Sequence, residues 1–97
     1  MKKTFQVDKG CIENGIKDSI YYCPVANSIK KTYRKVEVTT TSISFGHGPA
    51  EILFENTEEL EQWIRDFDDS KKVQEMQVCL DFEQKVAAIS SHSESKE

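Results

Sequence analysis

Ala50–Phe67 reads AEILFENTEELEQWIRDF, and the change of periodicity inside it decides the fold. Glu51–Phe54 has the composition of a short strand. Leu60, Trp63, Ile64 and Phe67 then recur at i, i+3, i+4 and i+7, the spacing that lines one face of a helix. Asn56 is placed to cap that helix, with Glu59 three positions on as the reciprocal partner of a capping box. Glu58, Glu59 and Glu61 fall where the positive end of the helix dipole favours anions. Asp66, Asp68 and Asp69 crowd the opposite end, where acids cost up to ~1 kcal/mol each. Such a local conflict marks either an ordinary solvated helix end or a negative surface kept for a partner.

Working back toward the N-terminus, Gly46-His47-Gly48-Pro49 reads as a turn. The stretch before it, VEVTTTSISF over 36–45, places apolar residues at 36 and 38 and then at 43 and 45. That change of parity predicts a hairpin, Val36–Thr39 against Ser42–Phe45, because a one-residue slip flips the buried face. Cys23-Pro24 opens a second helix of about eleven residues, with proline at the position where a missing N–H costs nothing. Val25, Ala26, Ile29 and Tyr33 are its apolar stripe. Thr4–Val7 is a short strand candidate, and Asp8 caps one helical turn through Cys11–Asn14, closed by Gly15. Working forward, Met76, Val78, Leu80 and Phe82 alternate as a half-buried strand. Val86–Ile89 suggests one further helical turn, and SSHSESKE reads as a polar tail.

The order β, short α, α, β, β, β, α, β predicts an α+β domain: a small, mainly antiparallel sheet of four to five strands with two longer helices packed on one face. Residues 1–83 form the domain and 84–97 the tail. Ninety-seven residues suffice for one modest core that buries roughly 65% of the unfolded surface.

Composition narrows the function classes. No apolar window approaches the ~18 residues of a membrane span. The opening MKKTFQVDKG lacks an apolar segment after its lysines, which points to a cytoplasmic protein without a secretory signal. Three cysteines, Cys11, Cys23 and Cys79, read as free thiols. They and His47 and His92 lack the spacing of a zinc site. The net charge of −4 divides into +5 over residues 1–36 and −9 over 37–97. Net acidity argues against direct nucleic-acid binding, while the asymmetry suits a basic protein partner or a local anion site.

Four features carry possible chemistry. The acidic residues Glu58, Glu61, Asp66, Asp68 and Asp69 form a candidate partner-binding face or a plain solvated surface. Lys30, Lys31 and Arg34 form a basic helix face, to which the fold could bring Lys17 and Lys35; an anion or phosphate contact and a solvated face are the two readings. His47 sits between glycines that allow close backbone approach, although GHG lacks the spacing of a phosphate-cradling loop. Cys23 stands at a helix N-terminus, which can activate a thiol, but no sequence neighbour serves as its base. No catalytic, metal or cofactor motif is recognisable.

Cys23-Pro24-Val25-Ala26-x-x-Ile29-Lys30, then Trp63-Ile64-Arg65-Asp66-Phe67-Asp68, then the strand beyond Lys72-Val73 resemble a family of small uncharacterised bacterial and phage proteins. In that family a CPVA-type helix start precedes a hairpin, an IRxFD helix and a final alternating strand. The resemblance covers roughly residues 4–82; Ser28, the polar Thr39–Ser42 turn and the added tail depart from it. It implies no activity. It implies a phage or mobile-element setting, in which small acidic proteins act by binding host proteins. The leading expectation is therefore a non-enzymatic interaction protein, a phage-type inhibitor of a host defence protein that meets a basic surface through its acidic helix. The alternative is a small-ligand protein that holds a nucleotide-like anion between protomers of a homo-oligomer, using Lys30, Lys31, Arg34 and His47.

Overall fold

The computed structural model describes residues 1–92. The first strand, β1 (Lys2–Val7), turns Phe5 and Val7 inward. Asp8 then caps α1 (Lys9–Glu13) by accepting the Cys11 N–H at 2.9 Å. That N–H, first among several causes, holds the Asp8 carboxyl below its ordinary range. Gly15 does not take the left-handed conformation expected of a helix-closing glycine. It is there for space: a Cβ at Gly15 would lie 2.7 Å from the Pro24 ring.

A looped connector leads to α2 (Pro24–Ile29), whose start is capped by Cys23. This helix is six residues long rather than about eleven. The Ile29 carbonyl accepts both the Thr32 and Tyr33 N–H groups, which closes the chain into a turn. Tyr33 thereby leaves the helix and lays its ring on Phe45, centroids 4.2 Å apart. The expected hairpin is present as β2 (Arg34–Val38) against β3 (Ser42–His47), and β3 pairs next with β4 (Ala50–Asn56). Only Gly48 and Pro49 lie in the second turn, with Gly48 at φ 65°.

Thr57, one residue later than expected, caps α3 (Glu58–Asp68) by accepting the Leu60 N–H. Asn56 is unavailable for that task. It is buried, and its side-chain amide donates to the Thr39 and Thr40 carbonyls at 3.2 and 2.9 Å. The cap shift also removes Glu59 from the position a capping box requires. Leu60, Trp63, Ile64 and Phe67 are all buried, as their spacing predicts. The Trp63 ring N–H donates to the Gln74 carbonyl at 3.0 Å.

Strand β5 (Met76–Asp81) alternates strictly between buried and half-buried positions. The last strand, β6 (Val86–His92), occupies the stretch expected to hold a helical turn and then a polar tail; positions 93–97 lie outside the described residues. β6 lies inside the sheet, between β5 and β4. Ala87 and Ile89 lie level with the buried Leu80 and Val78, and Val86 and Ala88 on the other face are apolar as well, so Val86-Ala87-Ala88-Ile89 carries little period-2 signal.

The sheet has six strands in the order β1-β5-β6-β4-β3-β2. Neighbours are antiparallel except β4 and β6, which run parallel over Glu55–Val86 and Asn56–Ala87. It curls into a half-barrel accompanied by three short helices, of which only α3 exceeds seven residues. The expected layer of two long helices over four or five strands is therefore incorrect. Helix α2 packs against both β1 and β2, the two edge strands, and fills the gap between them; α3 packs against β4 and β6. Curling shortens the span that the helices must cover, and β6 supplies the extra strand.

Candidate functional site

The outer face of α3 is the first candidate. Glu58, Arg65 and Asp69 are exposed and Glu61 half-buried, opposite the apolar stripe. Arg65 pairs with Glu61 at 3.8 Å. Over Glu58–Asp69 there are six acids against this one arginine. They are not equivalent. Asp68 accepts the Asp18 N–H at 2.9 Å and so ties the connector to the helix end. Asp66 accepts from Gln62 at 2.8 Å and pairs with Lys71 at 3.8 Å. The predicted five-residue surface therefore divides into Glu61, Asp66 and Asp68, which are half-buried and have partners in the fold, and Glu58 and Asp69, which are exposed.

The predicted basic group does not converge. Lys30 ends α2 and places its ammonium 3.7 Å from the Tyr22 ring centroid, a cation–π contact. Lys31 reaches back to Asp8 at 3.9 Å. Arg34 begins β2, in a different element from the other two. The His47 ring lies 6.1 Å from Tyr33 and 5.7 Å from Phe82 between centroids. It borders an aromatic cluster of Tyr33, Phe45, Phe54 and Phe82, in which Phe54 and Phe82 meet edge to face at 5.1 Å. This cluster lies beyond the end of β5, whereas α3 reaches its start through Trp63 and Gln74.

A third place gathers polar groups that sequence reasoning did not assemble. Arg34 pairs across the sheet with Gly46, and Gly46 with Glu51. These residues, together with Lys35, Tyr33 and the Gly48-Pro49 turn, line an open cleft of about 470 Å³. Lys35 takes a left-handed backbone at φ 56°, and two residues of β2, Lys35 and Val36, stand opposite one of β3, Phe45. That irregularity is a β-bulge. Nothing in the order of residue types announces it, because lysine rarely marks a left-handed position.

The thiols are poor nucleophiles. Burial pushes both Cys11 and Cys23 above the ordinary thiol range. The Ala26 N–H, 3.5 Å from Cys23 Sγ, opposes this without reversing it. Cys79 is half-buried on the sheet face away from the core, level with Thr4 and Ala88. Among the described residues no helix is long and apolar enough to cross a membrane. No protein-family model matches the chain, and no curated protein or solved structure matches it significantly.

Proposed function

We propose that this chain is a non-enzymatic interaction protein that binds a basic protein surface through the outer face of α3. The observation supporting this reading is the division of labour along that helix. Leu60, Trp63, Ile64 and Phe67 hold it to the core, while Glu58 and Asp69 are exposed and, with the half-buried Glu61 that pairs with Arg65, leave an acidic excess on the outer face. Such a field speeds encounter with an oppositely charged partner and discriminates against acidic ones. The narrower identity, a phage-type inhibitor of a host defence protein, rests on the resemblance of the CPVA and IRxFD segments alone.

The test compares wild type with a Glu58→Lys, Asp69→Lys variant as bait in host lysate at graded salt, with helix content and melting temperature checked first. The expected result is a well-folded variant that loses a partner retained by wild type at low salt. Undiminished retrieval at every salt concentration would reduce the acidic face to a solvated surface.

A further inference from the structure

We propose that the cleft over Gly46 is a binding site for a small organic phosphate. The phosphate is held by Arg34 and Lys35, and a hydrogen-bond donor at the far end of the ligand meets Glu51. This site is separate from α3 and independent of the function assigned to that helix.

The bulge is the first ground. In a regular strand Arg34 and Lys35 would project from opposite faces of the sheet. The extra residue in β2, with Lys35 in the left-handed region, makes both of them line one cleft. Bulges commonly re-aim side chains in this way beside sites. The second ground is charge. Lys9, Lys31, Arg65 and Lys71 each have a carboxylate at ion-pair distance. Arg34 and Lys35 are both exposed and have none among the described residues. Lys2, Lys3, Lys72 and Lys85 also lack such a partner among the described residues, so what sets Arg34 and Lys35 apart is that both line one cleft, where a phosphate would match them and guanidinium can donate two parallel hydrogen bonds.

The floor supplies the third ground. The cross-strand row runs Arg34, Gly46, Glu51, so the position between the cations and the acid carries no side chain. Two strand spacings separate the ends of that row, roughly 10 Å. Pro49 adds apolar wall. A cleft of about 470 Å³ falls in the range that small-molecule sites occupy. An acidic group at one end, an amino donor about 10 Å away and a flat body between them describe a nucleoside monophosphate bearing an exocyclic amine.

The experiment is titration of the full chain with AMP, CMP, UMP and inorganic phosphate, followed by calorimetry and by NMR shifts of the Gly46 and Gly48 amides. Saturable binding of AMP and CMP is expected, at least tenfold tighter than that of inorganic phosphate. UMP, which lacks the amine, binds more weakly than CMP, and Glu51→Ala removes that preference. Arg34→Gln with Lys35→Gln weakens binding at least tenfold. Gly46→Val abolishes it by filling the floor. That variant is expected to fold, because a Cβ at Gly46 meets only the Arg34 carbonyl oxygen, at 3.6 Å; an unaltered melting temperature confirms this. Should it unfold instead, the Arg34→Gln, Lys35→Gln pair decides. No saturation by any nucleotide overturns the proposal. So does nucleotide binding no tighter than that of phosphate, or binding that survives the Gly46 and Arg34/Lys35 substitutions.

Discussion

Helices α2 and α3 both begin with a side-chain cap and an apolar stripe, yet one ends after six residues and the other runs for eleven. In α3, local preferences agree: Thr57 caps it, glutamates occupy its first turn, and one stripe is buried. Its outer face stays in water, so it has the form of a surface helix. In α2, Pro24, Val25, Ala26, Ser28 and Ile29 are all buried, on more than one face. It is wedged between the edge strands β1 and β2, and a helix that short gains little from its own hydrogen bonds. The lesson is that α3 is specified largely by its own residues, and α2 by the slot it fills.

The strongest challenge to this contrast is Trp63→Ala. Trp63 is 7% exposed and stacks on Phe67 at 6.4 Å. Truncation leaves a cavity and removes the ring N–H donated to the Gln74 carbonyl, so a loss of about 3–5 kcal/mol is expected in denaturant unfolding. An unchanged midpoint would mean that α3 is not anchored through its stripe. Next comes Gly15→Ala, which probes the slot around α2 from outside the helix. The added methyl would meet the Pro24 ring and main-chain nitrogen, and a loss of about 1–3 kcal/mol is expected from overpacking. If that variant is as stable as wild type, α2 is looser in its slot than described. Thr57→Ala removes the α3 cap and should cost ~1 kcal/mol, while Thr57→Ser should restore it. Charge reversal at Glu58 or Asp69 should change stability by no more than about 0.5 kcal/mol per site; a larger loss would show that the outer face supports the fold.

The smallest effects concern protons. The Cys23 thiol titrates above its ordinary value of 9.0 because burial disfavours the thiolate. Its contribution to stability is therefore complete below pH 9.0 and is lost as pH rises through the elevated value. Asp8 and Asp81 titrate below 3.8, held down chiefly by the Cys11 and Gln84 N–H groups. Their contribution is present above pH 3.8 and is lost as pH falls through the lowered values. Melting curves across pH check both directions. Native alkylation followed by mass spectrometry should label Cys79 ahead of Cys23 and Cys11.

Much of the middle of the chain was legible in its residues. The parity break between Val38 and Ile43 located the β2–β3 hairpin, and the Leu60–Phe67 spacing located α3. Three features were not legible, the first two for non-local reasons. Tyr33 continues the helical spacing of Ile29, but its ring is drawn off by Phe45, twelve residues further on. Asn56 has the chemistry of a cap, but its amide is committed to the Thr39–Thr40 turn. The strand β6 shows no alternation because Val86 and Ala88, facing away from the core, are as apolar as Ala87 and Ile89, and its register with β5 shifts just beyond Ile89. At the candidate sites, the acidic residues of α3 could be found from composition, although their partners could not. The Arg34–Lys35 cleft depends on a bulge and on a cross-strand glycine, which adjacency in sequence does not reveal.

The central position of β6 also has a consequence in time. During synthesis, β2, β3 and β4 emerge together and can pair by short turns. The first strand, β1, must wait for β5, some seventy residues later. Within the sheet nothing joins the two groups until β6 arrives between them, although α2 already bridges the outer strands β1 and β2. The half-barrel therefore closes last at its middle, and a nascent chain shorter than residue 92 exposes the flanks of both β4 and β5. Unpaired flanks recruit strands from other molecules, so the nascent chain is prone to self-association until β6 leaves the ribosome.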